Sequence, residues 1–212
     1  EVLATFTGSD FDVNLAKAAE KFTFASTTGS AFTGIVDMKK GEYVLDVKDS
    51  GGTTILANGI LQLSDGGSTV VSKNITIGNL NINDGGLLRV ETSDDGSPKG
   101  VLTVTDLNVK NGAKVGLNVT TAITDSSALF LGSSSNEEQI VKSTGAVTGN
   151  TSDIVLVDFN GNGTTNKLDQ VVQLSQNSTN VAEAYFNYEV NLYKNDGAKN
   201  GLYLSYGLSR IN

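Results

Sequence analysis

An all-β fold, a right-handed single-stranded parallel β-helix with a C-terminal β-hairpin cap, is what this 212-residue sequence predicts, and three observations predict it. A short alternating strand followed by an Asx-Gly turn recurs along the chain. Gly, Asn, Ser, Thr and Val stand where helix formers would, with a single proline, Pro98. Five of the six tyrosines crowd into the last 28 residues, whereas the repeat region is built from aliphatic side chains.

Residues 1–30 are the least regular. Val13 to Phe22, with its Ala-Lys-Ala-Ala centre, carries the spacing of one or two helical turns, and Phe22-Thr23-Phe24 returns to strand alternation. The repeat then reads Leu45-Asp46-Val47-Lys48-Asp49-Ser50-Gly51-Gly52, Leu61-Gln62-Leu63-Ser64-Asp65-Gly66-Gly67, Leu80-Asn81-Ile82-Asn83-Asp84-Gly85-Gly86 and Leu107-Asn108-Val109-Lys110-Asn111-Gly112. Its starts are 16, 19 and 27 residues apart. Such intervals suit solenoid coils of two or three short strands with insertions at the corners. An antiparallel sandwich shows the same alternation at a closer hairpin spacing of roughly 8 to 12 residues.

The strand period of two points Leu45, Val47, Leu61, Leu63, Leu80, Ile82, Leu107 and Val109 inward, onto the same position of the next coil. The Asn, Gln, Asp and Lys side chains between them face solvent, and the Asx-Gly pairs turn the chain because glycine accepts positive φ. Thr69-Val70-Val71, Leu88-Arg89-Val90-Glu91 and Val101-Leu102-Thr103-Val104 supply further strands. Asp94 to Gly100 reads as an exposed loop between coils. Residues 1–120 are thus expected to form β-helix coils, and residues 121–212 the final coils and a cap. In the cap, strands Tyr185 to Tyr193 and Gly201 to Leu208 form a hairpin through Lys194-Asn195-Asp196-Gly197. Phe186, Tyr188, Tyr193, Tyr203 and Tyr206 would cover the last coil.

Composition closes several function classes. With no histidine and no cysteine, the chain offers no Ser/His/Asp or Cys/His pair, no zinc site of the usual ligands, no His or Cys haem ligand and no thiol redox centre. Net charge is −8, with 9 basic and 14 acidic residues up to residue 110 and 6 and 9 after it. Nucleic acid is held largely by Lys and Arg on phosphates, and no basic patch is concentrated here. No stretch reaches the roughly 20 apolar residues of a membrane-spanning helix, and the first residues lack the pattern of a signal peptide. Export would place both signal and anchor outside these residues.

Several segments, in order, resemble the end of the passenger of an AIDA-type autotransporter, the group that includes self-associating adhesins of Gram-negative bacteria. Phe32-Thr33-Gly34-Ile35-Val36 with Gly41-Glu42-Tyr43-Val44-Leu45 is similar to the family's FTG-x-V unit and its downstream Y-x-L. Ile77 to Leu87 resembles its I-G-x-L rung, and Leu102 to Val109 its L-T-V rung. Ile154 to Asp158 and Gly201 to Leu208 resemble the autochaperone region that precedes the linker and the membrane barrel. The resemblance implies a pertactin-like β-helix, type V secretion across the outer membrane, and display on the cell surface. It implies adhesion, cell aggregation and virulence rather than catalysis. Partners would be a host-cell or bacterial surface, a second copy, and the protein's own outer-membrane β-barrel. The sequence contains neither that barrel nor an Arg-Gly-Asp cell-binding triplet.

Two patterns carry candidate chemistry. Asp158-Phe159-Asn160-Gly161-Asn162-Gly163, with Asp169 at position twelve, matches the oxygen-ligand spacing of a calcium loop. Its upstream flank, Ile154 to Val157, reads as strand rather than helix, so an Asn-Gly-rich turn is the default reading. Asp49, Asp65 and Asp84 recur at one position of the repeat, as the stacked carboxylates of a carbohydrate-active β-helix lyase or glycoside hydrolase would. Turn chemistry alone asks for Asp or Asn there. Asn74, Asn118, Asn150, Asn162 and Asn177 lie in Asn-x-Ser/Thr triplets, as a composition this rich in those residues predicts. The expectation is therefore a non-enzymatic protein with no catalytic residue, cofactor or metal.

Overall fold

The computed structural model describes residues 2–3, 10–27, 31–93, 96–118, 122–123, 136–163, 167–176 and 180–210. Strands dominate them. The first five are β1 (Val2–Leu3), β2 (Phe11–Asn14), β3 (Lys21–Phe22), β4 (Phe24–Ala25) and β5 (Ile35–Tyr43). The next eight are β6 (Ile60–Leu63), β7 (Gly67–Val71), β8 (Ile75–Thr76), β9 (Asn79–Ile82), β10 (Leu87–Val90), β11 (Leu102–Val104), β12 (Leu107–Val109) and β13 (Ala113–Leu117). After β14 (Ala122–Ile123) come β15 (Asn136–Ser143), β16 (Val147–Thr148), β17 (Ile154–Asp158), β18 (Lys167–Gln176), β19 (Asn180–Asp196) and β20 (Lys199–Arg210).

Eleven of these strands form one parallel sheet that curls about β5. The first half of β5 pairs with β6 and its second half with β7, so two ladders diverge from one strand. One runs β2-β5-β6-β9-β12-β16 and the other β3-β5-β7-β10-β13-β17. A third ladder, β8-β11-β15, is parallel as well. From β6 to β13 the chain visits the three ladders in constant order, and it does so again from β15 to β17.

Register explains why the interior is apolar. Val36, Leu61, Leu80, Leu107 and Val147 are ladder partners in succession, and so are Met38, Leu63, Ile82 and Val109. All nine are buried in one hydrophobic cluster with Leu88, Val90 and Val115 of the second ladder and Leu102, Val104 and Val141 of the third. Each fully buried Leu or Val stabilises the fold by roughly 1.5 to 3 kcal/mol. Thr69, the polar member of the second ladder's inward column, donates its hydroxyl to the Tyr43 carbonyl at 2.7 Å.

The turns stack too. Asp65 N donates to Asp84 O at 3.0 Å, Gly66 N to Gly85 O at 2.9 Å, and Gly85 N to Gly112 O at 3.0 Å. The first copy of the repeat lies elsewhere than at Leu45. Val36-Asp37-Met38 is the segment in register with Leu61-Gln62-Leu63, whereas Leu45 and Val47 follow β5 and reach the core from another side. Asp49 occupies a separate turn closed by an antiparallel bridge between Lys48 and Thr54. Its carboxylate accepts from Gly51 N and Thr53 N, so local Asx-turn chemistry imitates the repeat without sharing its ladder.

The helical turns expected over Val13 to Phe22 are absent. β2 and β3 flank a turn instead, and each pairs in parallel with β5, so ladder pairing overrides the helix propensity of the Ala-rich run. In the loop from Asp94 to Gly100, residues 94 and 95 lie outside the described ones, and Thr92 bridges to Pro98. At the C-terminal end β18, β19 and β20 pair antiparallel in turn, and β20 pairs antiparallel with β15. β19 and β20 are joined at Gly197-Ala198. Tyr188, Val190, Leu192, Leu202, Leu204 and Tyr206 face the common core, and Tyr193 and Tyr203 pack edge to face on the opposite side. The side chains of Tyr185 and Phe186 lie outside the described ones.

Candidate functional site

Polar side chains on the outer face of the first ladder do more than face solvent. Gln62 Nε2 donates to Asp37 Oδ2 at 3.0 Å, Asn81 Nδ2 to Gln62 Oε1 at 3.1 Å, and Asn108 Nδ2 to Asn81 Oδ1 at 2.8 Å. Thr148 Oγ1 closes the series on Asn108 Oδ1 at 2.6 Å. Beside it Ser64 donates to Asp37 Oδ1 and Asn83 to Ser64 Oγ. These side chains lie on adjacent strands in register, so each amide bridges one strand to the next, and chained bonds of this kind polarise one another.

A second cluster gathers on Glu137 of β15. Its carboxylate accepts from Lys199 Nζ, from Tyr193 Oη at 3.0 Å, from Ser205 Oγ at 3.1 Å and from Asn191 Nδ2 at 3.5 Å. Burial disfavours the charge, but the hydrogen bonds from Lys199, Tyr193 and Ser205 outweigh it and hold the carboxyl below its ordinary range. Lys199 Nζ also lies 4.8 Å from the Tyr193 ring centroid and 5.6 Å from that of Tyr203. Burial and the Glu137 carboxylate push the Tyr193 phenol upward. A carboxylate so fully engaged is a poor proton acceptor, so the cluster is an anchor between β15, β19 and β20.

A groove of about 290 Å³ opens on the outer side of the second ladder, with Glu42, Val44, Val70, Glu91 and Phe159 among its walls. Next to it Arg89 is held between Glu42 Oε1 at 3.6 Å and the Phe159 ring at 5.5 Å. Lys21 also reaches Glu42, Lys99 reaches Glu91 and Lys73 reaches Asp46, so the carboxylates around the groove are matched by cations.

Asp158 uses its Oδ1 on its own loop, accepting from Asn160 N and Asn162 N at 2.9 Å each. Residues 164–166 of the candidate calcium loop and the side chain of Asp169 lie outside the described ones, and β18 carries the Asp169 backbone. Among the described residues no group of three or more Asp and Glu is placed to hold a metal ion. Of the three repeat aspartates, Asp65 and Asp84 occupy neighbouring stacked turns and Asp49 does not join them. No family model, curated protein or solved structure matches this chain.

The outward column from Asp37 to Thr148 was signalled in sequence by polar residues alternating with Leu, Val and Ile. Nothing in the sequence signalled the Glu137 cluster, whose members are brought together by antiparallel pairing across separations of 54 to 68 residues.

Proposed function

We propose that the chain is a structural and adhesive passenger segment of an AIDA-type, type V secreted surface protein. It is displayed outside a Gram-negative bacterium, supports adhesion or cell aggregation, and has no catalytic role. Its architecture in this reading is a right-handed single-stranded parallel β-helix whose last coils are capped by the β19-β20 hairpin. The observation that carries the reading is the constant order in which the chain visits three parallel ladders around one apolar interior. A stack of this kind presents long, regular outer faces suited to contact with another surface. The partner would be a host-cell or bacterial surface or a second copy, and the protein's own barrel would carry it across the outer membrane.

Beads coated with the purified chain provide the test. They should clump, or bind epithelial cells, well above beads coated with an inert protein of similar charge. Coated beads that behave like the inert controls would overturn the adhesive reading. The alternative, a carbohydrate-active β-helix enzyme, draws on the neighbouring turns of Asp65 and Asp84. It would be favoured by release of reducing ends from a polysaccharide that disappears in Asp65→Asn or Asp84→Asn.

A further inference from the structure

Five Asn-Gly dipeptides occur in the chain, at Asn58, Asn111, Asn160, Asn162 and Asn200. An Asn followed by glycine is chemically labile, because no Cβ shields the glycine nitrogen. That nitrogen loses its proton and attacks the side-chain amide carbon. The new N–Cγ bond closes a five-membered succinimide while the Cγ–Nδ2 bond breaks and ammonia leaves. Water then opens the ring at either carbonyl, giving Asp or isoaspartate. The step needs a glycine N–H free of a backbone hydrogen bond and room for the peptide to rotate.

Four of the five pairs lack one or both. Gly59 N donates to Leu56 O at 3.1 Å, Gly112 N to Asp153 O at 3.0 Å, and Gly161 N to Asp158 O at 3.0 Å. Gly201 lies within β20, in register with Tyr193 on one side and Lys142 on the other. Packing is close as well. A methyl group on Gly59 would sit 2.9 Å from the Phe32 ring, on Gly112 2.0 Å from Asp84 Oδ1, and on Gly201 2.1 Å from the Val141 carbonyl oxygen. The side chain of Asn200 is itself fixed, donating to the carbonyls of Ser143 and Gly145.

Asn162-Gly163 differs in its glycine N–H and in the space around that glycine. Both residues are exposed, and Gly163 N–H donates to no described residue. The nearest atom to a methyl on Gly163 would be Val157 Cα at 3.5 Å, an ordinary contact. Asn162 N–H donates to Asp158 Oδ1 and its carbonyl accepts from Asp158 N, both at 2.9 Å, so rotation of the Asn162–Gly163 peptide breaks one backbone hydrogen bond, in a loop where Asn160, Asn162 and Gly163 are exposed. We propose that Asn162 is the site of spontaneous deamidation in the folded protein, the fold shielding the other four pairs. Conversion would place a new carboxylate in the loop that carries Phe159 onto Arg89.

The test is site-resolved peptide mass spectrometry of the full chain incubated at mildly alkaline pH, folded and in urea, with Asn162→Gln as a companion. In the folded chain the mass gain of amide-to-acid conversion should appear first at Asn162, several-fold ahead of the other four. In urea the five should convert at similar rates, and folded Asn162→Gln should lose the early event. Conversion of Asn58, Asn111, Asn160 or Asn200 as fast as Asn162 in the folded chain would overturn the proposal. So would the same site profile in the folded and unfolded chains.

Discussion

Asn81 is a residue whose side chain holds two neighbours at once, donating to Gln62 and accepting from Asn108. Asn81→Ala leaves one acceptor and one donor half-buried without partners, and should cost about 1 to 2 kcal/mol in urea denaturation. Lys110→Ala, an exposed change on the same face, should stay within about 0.5 kcal/mol. Equal effects of the two would deny the amide column any energetic role. Glu137 supplies a residue-scale prediction in pH. Its carboxyl is held below the ordinary range, so its contribution is complete above the unfolded-state value of about 4.3 and is lost as pH falls through the lower folded value. Glu137→Gln should therefore lower stability by about 1 to 2 kcal/mol at neutral pH, and the gap to the native chain should close below pH of about 4. A gap that persists unchanged in acid would mean that the charge is not what Glu137 contributes. The alternation that set Asn81 outward was plain in the sequence. The convergence on Glu137 was not, since it depends on which distant strands pair.

Gly67 opens β7 where that strand begins to run beside β5, and there the ladders approach too closely for any side chain. A methyl group on Gly67 would lie 1.6 Å from the Met38 carbonyl oxygen, a backbone atom that cannot move without disturbing β5. Gly67→Ala should cost at least the 1 to 3 kcal/mol of an overpacked core and lower the thermal midpoint measured by circular dichroism. Gly52→Ala, with φ of +81° and nothing within 4 Å, should cost about 1 kcal/mol through backbone conformation alone. If the two variants melted together, close approach would not be the constraint at Gly67. This contrast also shows what was legible at the scale of elements. β6, β9 and β12 stood out as alternating runs before Asx-Gly or Asn-Gly turns, and their inward residues are the buried ones. The copy read at Leu45 shared the turn chemistry but not the ladder, because an Asx turn is satisfied locally whereas register is decided between paired strands. β2 and β3 were obscured for a related reason: their strand conformation comes from pairing with β5 rather than from their own residues.

Across the whole molecule the two ends differ in kind. The third ladder ends on an antiparallel partner, since β15 pairs with β11 on one edge and with β20 on the other. β19 also bonds to the turn between β16 and β17, Leu192 N donating to Thr151 Oγ1 at 2.9 Å and Lys194 Nζ to Asn150 Oδ1 at 3.1 Å. In the proposed β-helix a coil cannot bury its apolar side alone, so β19 and β20 would cover the last coil and supply the surface on which the preceding one stacks. In the proposed cap, Tyr203 lies almost fully buried against Tyr193 on the outer face of β20. Tyr203→Ala should cost about 3 kcal/mol, as large-to-small changes at buried sites do. The loss should be uneven in hydrogen exchange read by mass spectrometry. Protection should fall first in β15 and β18 to β20, then in β12 and β13, with β5 and β6 affected last. Uniform loss along the chain would mean that the ladders and the C-terminal strands unfold as one unit. Loss beginning at β5 would mean that the stack is secured from its other end, and either result would remove the capping role from β19 and β20.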